Sequence, residues 1–158
     1  MYALPPAAED LSSRCVPYRV FRHLTPIDSL EQAANERNQA PEQVVRSIVF
    51  RLGAGNFVMM LVAGSEQISW PLLRSYLGQS RMTMASDEEV FEVTGYRVGA
   101  VTPFGISNPI RILADHNVFI HDEISIGSGE RGTAILLKSA DLRSNIQKLE
   151  IGHFVLKR

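Results

Sequence analysis

The sequence predicts a single α+β domain organised around a mixed, strongly curved β-sheet flanked by helices. Three observations lead there. Short alternating or β-branched runs, such as residues 18–22 and 47–51, recur along the chain and read as strands. Between them lie capped segments with apolar residues at helical spacing, without the regular strand–helix rhythm of a parallel α/β fold. With 158 residues, 45% hydrophobic and 21% charged, the chain has the size and composition of one soluble domain with a substantial core.

Residues 1–16 are rich in proline and alanine and read as an N-terminal arm, loose or carrying a short leading helix, with the domain proper over 17–158. A strand over 18–22 ends near His23. Asp28 or Ser29 caps a helix through about Asn38, with Leu30, Ala33, Ala34 and Arg37 at helical spacing. Pro41 opens a turn of helix that passes into a strand over 47–51. Gly53-Ala54-Gly55-Asn56 turns the chain into a returning strand over 57–62. Ser69 caps the next helix, Pro71 lies early in it, and Gly78 closes it. A short strand over 81–85 precedes the capping box Ser86-Asp87-Glu88-Glu89, which opens a helix ending at a glycine-rich loop. Strands are expected over 110–113, 118–121, 124–126 and 133–137, the last two around a tight turn. Ser139 caps the final helix, through about Lys148.

Composition narrows the function. No apolar run approaches the roughly 18 residues a bilayer requires. The N-terminus lacks the basic start and apolar core of a secretory signal, so no membrane partner is expected. The one cysteine, Cys15, excludes an internal disulfide and fits a reducing cytoplasm. A formal net charge of −1 argues against a general nucleic-acid binder with a basic surface. Yet 13 arginines against 3 lysines leave room for a local patch of planar, phosphate-matching cations.

Residues 94–105, TGYRVGAVTPFG, hold the most chemical promise. Gly95, Gly99 and Gly105 admit backbone conformations closed to other residues, and Pro103 ends a run of N–H groups with a residue that has none. Gly99, Ala100, Val101 and Thr102 can thus present successive amides to an oxyanion, a carbonyl oxygen or a phosphate. A plain glycine-rich connection would look the same. Tyr96 and Phe104 flank the loop as walls or as core. Asp115, at the end of an apolar strand, orients a water or an amino group, or caps the following turn.

Other motifs fall away. Gly127-Ser128-Gly129-Glu130-Arg131-Gly132 spells G-x-G-x-x-G, but a strand follows it, so no helix N-terminus is offered to a pyrophosphate and the run reads as a hairpin turn. No cofactor is expected. Four histidines without HxxxH or HExxH spacing predict no metal site. There is no G-x-S-x-G elbow.

TGYRVGAVTPFG, followed by the PIRILAD run and a Gly-Glu-Arg-Gly turn, resembles the YbaK/ProX family of aminoacyl-tRNA deacylases, which includes the editing domain of bacterial prolyl-tRNA synthetases. Gly99 and Pro103 match its G-x-x-x-P signature, and the likeness runs from about Tyr18 to about Glu150. The resemblance implies a YbaK-like, partly barrel-like sheet. It also implies trans-editing hydrolysis of tRNA mischarged with a small amino acid such as alanine or cysteine. The partner would be the tRNA acceptor end, with delivery by a synthetase left open. Arg46, in VVRSIVF, stands where the family carries a lysine implied to hold the 3′-terminal nucleotide or aminoacyl group. The likeness also implies that His23 faces the pocket, that Gly129 and Arg131 border it, and that Asp115 matches a family aspartate. Two rivals stand beside this reading. One is a tRNA- or aminoacyl-binding module inactivated by arginine at position 46; the other is an unrelated small-ligand protein on the same fold.

Overall fold

Local signals set most element boundaries in the computed structural model, which describes residues 3–156; residues 1–2 of the expected arm and 157–158 of the expected domain lie outside the described residues. The leading residues form α1 (Pro6–Ser13), started by proline in its first turn. Its Ala7, Ala8 and Leu11 are fully buried in the main core. Ser29 Oγ accepts from the Gln32 N–H and starts α2 (Leu30–Glu36). Ser69 does the same for α3 (Trp70–Leu77), which ends on left-handed Gly78. The Ser86–Glu89 capping box opens α4 (Asp87–Thr94), which ends on Gly95.

The strands are β1 (Arg19–Arg22), β2 (Val45–Leu52), β3 (Phe57–Ala63), β4 (Met82–Met84), β5 (Arg111–Asp115), β6 (Glu123–Gly127), β7 (Thr133–Lys138) and β8 (Glu150–Gly152). The α+β class holds, with the sheet divided in two. Antiparallel β1-β7-β6 forms one sheet, and the mixed order β4-β2-β3-β5-β8 the other, with β3, β5 and β8 parallel. Among the described residues a single parallel bridge, Val44 to Ser125, joins them, and they do not close into a barrel. Strand β3 is buried on both faces, which explains its unbroken apolar sequence. Met59, Leu61 and Ala63 enter the core between the sheets; Val58 and Met60 enter a second core under α3.

Two local expectations fail, and one strand carries no signal in the sequence. Residues 118–121 are not a strand, because a 3-10 turn over His116–Phe119 follows β5, held by Asp115, which accepts from the Asn117 N–H. Ser139 does not cap α5 (Ser139–Asn145); its hydroxyl donates to the His121 carbonyl instead. Strand β8 has only three residues and no period of its own; pairing with β5 creates it. The G-x-G-x-x-G run is the β6–β7 hairpin turn, with Gly129 and Gly132 at positive φ.

Candidate functional site

A cavity of about 630 Å³ lies where α2, the start of β2, the 99–103 loop and the β6–β7 hairpin meet. The loop and hairpin contribute Gly99, Val101, Gly127 and Arg131 to its wall; α2 and β2 contribute Arg37, Arg46 and Ser47.

The loop is held rigidly from behind. Gly99 sits at φ +92°, in the left-handed region, and the next four residues are buried. The Ala100 N–H donates to the Arg97 carbonyl, and the Ala100 carbonyl accepts from the Gly129 N–H, both at 2.9 Å. Tyr96 Oη donates to the Phe104 carbonyl at 2.6 Å; burial, with the Asp10 charge adding, pushes this phenol up to about 12. The Gly105 N–H donates to Asp10 on α1. Gly127 allows the closest approach of all. A Cβ there would stand 2.1 Å from the Val101 carbonyl oxygen.

With Ala100 committed to that turn and Pro103 lacking a donor, the N–H groups of Gly99, Val101 and Thr102 remain. None has a protein acceptor among the described residues. Gly99 and Val101 line the cavity, whereas Thr102 is fully buried away from its wall. Two free main-chain donors on a cavity wall are suited to an acyl oxygen.

Arg46 leaves the start of β2 and donates through Nε to the Gly64 carbonyl at 2.8 Å and through Nη2 to the Glu66 carbonyl. Burial holds its pKa below the ordinary arginine value. The side chain also borders a second, more apolar groove beside Trp70 and Ile68. Arg131 donates through Nε to the Val98 carbonyl, next to Gly99.

Five expected site residues lie elsewhere. The His23 side chain is fully buried and absent from the wall, because the last turn of α2 covers it: Nδ1 meets Glu36 at 2.7 Å and Nε2 accepts from Arg37 Nε at 3.0 Å. Asp115 is 2% exposed, and both carboxylate oxygens cap backbone: one accepts from Phe154 N–H at 2.7 Å, the other from Asn117 N–H at 2.9 Å. Tyr96 and Phe104 are core residues behind the loop. Gly129 packs against Tyr96 and Pro6 outside the cavity wall.

Three wall residues are absent from the expected site. Gly127 was legible only as part of a turn. Ser47 Oγ is buried with no hydrogen-bond partner. Arg37 had a signal: a cation on the inward stripe of α2, at the spacing of Leu30, Ala33 and Ala34.

Known proteins extend this picture. The sequence profile of the aminoacyl-tRNA editing domain matches residues 25–144. The chain belongs to this editing family. The activity class of the family is aminoacyl-tRNA deacylation. The editing domain is 30% identical over 135 residues to the multifunctional Ser/Thr-tRNA deacylase ProXp-y of Escherichia coli K12, covering 83% of this chain and 80% of that one. It is 32% identical over 105 residues to the proline–tRNA ligase of Thermosipho africanus, covering 66% of this chain and 18% of the ligase, so it spans less than a fifth of that relative. In fold it is similar to a solved trans-editing enzyme for prolyl tRNA synthetase, with a TM-score of 0.87 and 21% identity, covering 98% of this chain and all of that one. Among the described residues no helix is long and apolar enough to cross a membrane.

Proposed function

We propose that the editing domain hydrolyses the aminoacyl ester of mischarged tRNA carrying a small amino acid, using main-chain donors rather than a nucleophilic side chain. The observation that carries this is the pair of acceptor-free N–H groups, Gly99 and Val101, on the wall of a cavity that also holds Arg46. The ester carbonyl oxygen accepts from those two amides, and Arg46 holds the terminal nucleotide. Water attacks the acyl carbon, and one of its protons passes to the departing ribose oxygen. The ester C–O bond breaks and the ribose oxygen leaves with that proton. An aminoacyl ester is already activated, so positioning and oxyanion stabilisation supply most of what the reaction needs.

Alanine or cysteine on a tRNA for proline is one substrate class. A second class, seryl and threonyl esters, is favoured by the buried, unpartnered Ser47 hydroxyl, which a substrate hydroxyl would satisfy. The name of the Escherichia coli relative points the same way. The deciding experiment is amino-acid release from a panel of Ala-, Cys-, Ser- and Thr-charged tRNAs, with Arg46→Lys alongside. Release by the natural protein supports hydrolysis. Release only by the lysine variant would instead identify a binding module.

A further inference from the structure

Three arginines, Arg37, Arg46 and Arg131, line the same cavity, and among the described residues none forms an ion pair with a carboxylate. The acid on that wall is Asp28, at the exposed start of α2. A guanidinium drawn partly out of water is normally paired with an anion, because the lost hydration is costly. Arg37 shows the cost: burial pulls its pKa down to about 10, against the opposing pull of Glu36. It is still a cation at neutral pH.

The groups that touch it are neutral, and the Glu36 charge acts on it at one remove, through His23. Arg37 Nε donates to His23 Nε2 at 3.0 Å, which fixes His23 as the tautomer that carries its proton on Nδ1 and donates it to Glu36 at 2.7 Å. Arg37 Nη1 donates to the buried Ser125 hydroxyl at 3.0 Å. Nη2 has no partner among the described residues. An arginine serving only to tie α2 to β6 would not need to border a cavity with a donor to spare. The arrangement resembles a supported ligand clamp, in which a buried histidine and a hydroxyl aim a guanidinium that remains free at one end.

We propose that Arg37 is a second anion-binding group of this cavity, which takes a backbone phosphate of a single-stranded RNA end, with His23 as its positioning residue. The identity of that RNA as a tRNA acceptor end rests on the editing reading above; the phosphate contact itself does not. Arginine matches the planar, two-oxygen face of a phosphate, and the cavity holds a group the size of a nucleotide.

The test uses the intact protein and the uncharged trinucleotide CCA with a 5′-phosphate, compared with adenosine, which has no phosphate. Arg37→Gln removes the charge but keeps an amide able to donate to Ser125, and circular dichroism checks that the fold survives. The expected result is about tenfold weaker CCA binding and a log K against log salt slope smaller by about 0.7, the value for one single-strand phosphate contact, with adenosine binding unchanged. Arg37→Lys restores part of the affinity and the slope, and His23→Ala weakens CCA binding through Arg37 alone, with no added effect in the double variant. An unchanged salt slope in Arg37→Gln, or no CCA binding by the natural protein, overturns the proposal. CCA binding that follows this pattern, without amino-acid release from any charged tRNA, would overturn the hydrolase reading and leave the phosphate site standing.

Discussion

The 99–103 loop and the end of β5 offer two kinds of polar group that look equally functional in sequence. At the end of β5, the Asp115 carboxylate is buried and both oxygens already accept main-chain N–H groups. In the loop, Gly99 and Val101 line a cavity, and among the described residues their N–H groups have no acceptor. Asp115 has the more reactive side chain, yet its capacity is used up within the fold. The loop has only main chain to offer, but it is available. On the proposed function, vacant hydrogen-bonding capacity on a wall separates site from scaffold better than residue type does.

The largest expected effect tests the scaffold side of that contrast. Asp115→Ala leaves two backbone donors without acceptors, at about 1–3 kcal/mol each, so unfolding in denaturant should shift by roughly 2–6 kcal/mol. Deacylation per folded molecule should stay the same. Normal stability with lost turnover would move Asp115 into the chemistry.

Next in size is Gly127→Ala. The added Cβ would overlap the Val101 carbonyl and push the loop off its position. Losing one well-placed oxyanion donor costs on the order of a hundredfold in rate, so kcat in single-turnover deacylation should fall by about that much. The melting temperature should fall as well, because the clash is with main chain, at about 1–3 kcal/mol for such overpacking. A fully active Gly127→Ala would mean that the position of Val101 is unimportant.

Arg46→Lys gives a smaller change. Lysine keeps the charge but cannot reproduce the fork that meets the Gly64 and Glu66 carbonyls together. KM for charged tRNA should rise a few-fold, on the scale of about 1 kcal/mol for one lost hydrogen bond, with kcat nearly constant. Comparable in size is Ser47→Ala, which should lower the preference for seryl over alanyl ester by about fivefold, again the value of one hydrogen bond. An unchanged ratio would remove the hydroxyl from substrate choice.

Much of the fold could be read locally, because caps act within a few residues: Ser29, Ser69 and the Ser86–Glu89 box all work as their spacing suggests. Elements whose cause is distant were illegible. Strand β8 exists through its pairing with β5, and the two sheets meet at the bridge between Val44 and Ser125, 81 positions apart. The site divides in the same way. The loop declares itself through Gly99 and Pro103, while the value of Gly127 lies in lacking a Cβ, which would stand 2.1 Å from the carbonyl oxygen of a residue 26 positions earlier. His23 and Asp115 suited a pocket by residue type, and only their partners, Glu36 with Arg37 and Phe154 with Asn117, reveal their supporting roles.

The most direct measurement is backbone amide NMR of the protein titrated with a 3′-aminoacylamino-adenosine, in which a stable amide replaces the ester. If Gly99 and Val101 hold the acyl oxygen, their N–H resonances shift most strongly downfield, and the Ala100 N–H, already bonded to Arg97, stays nearly still. Saturable binding with Gly99 and Val101 unmoved would contradict the account.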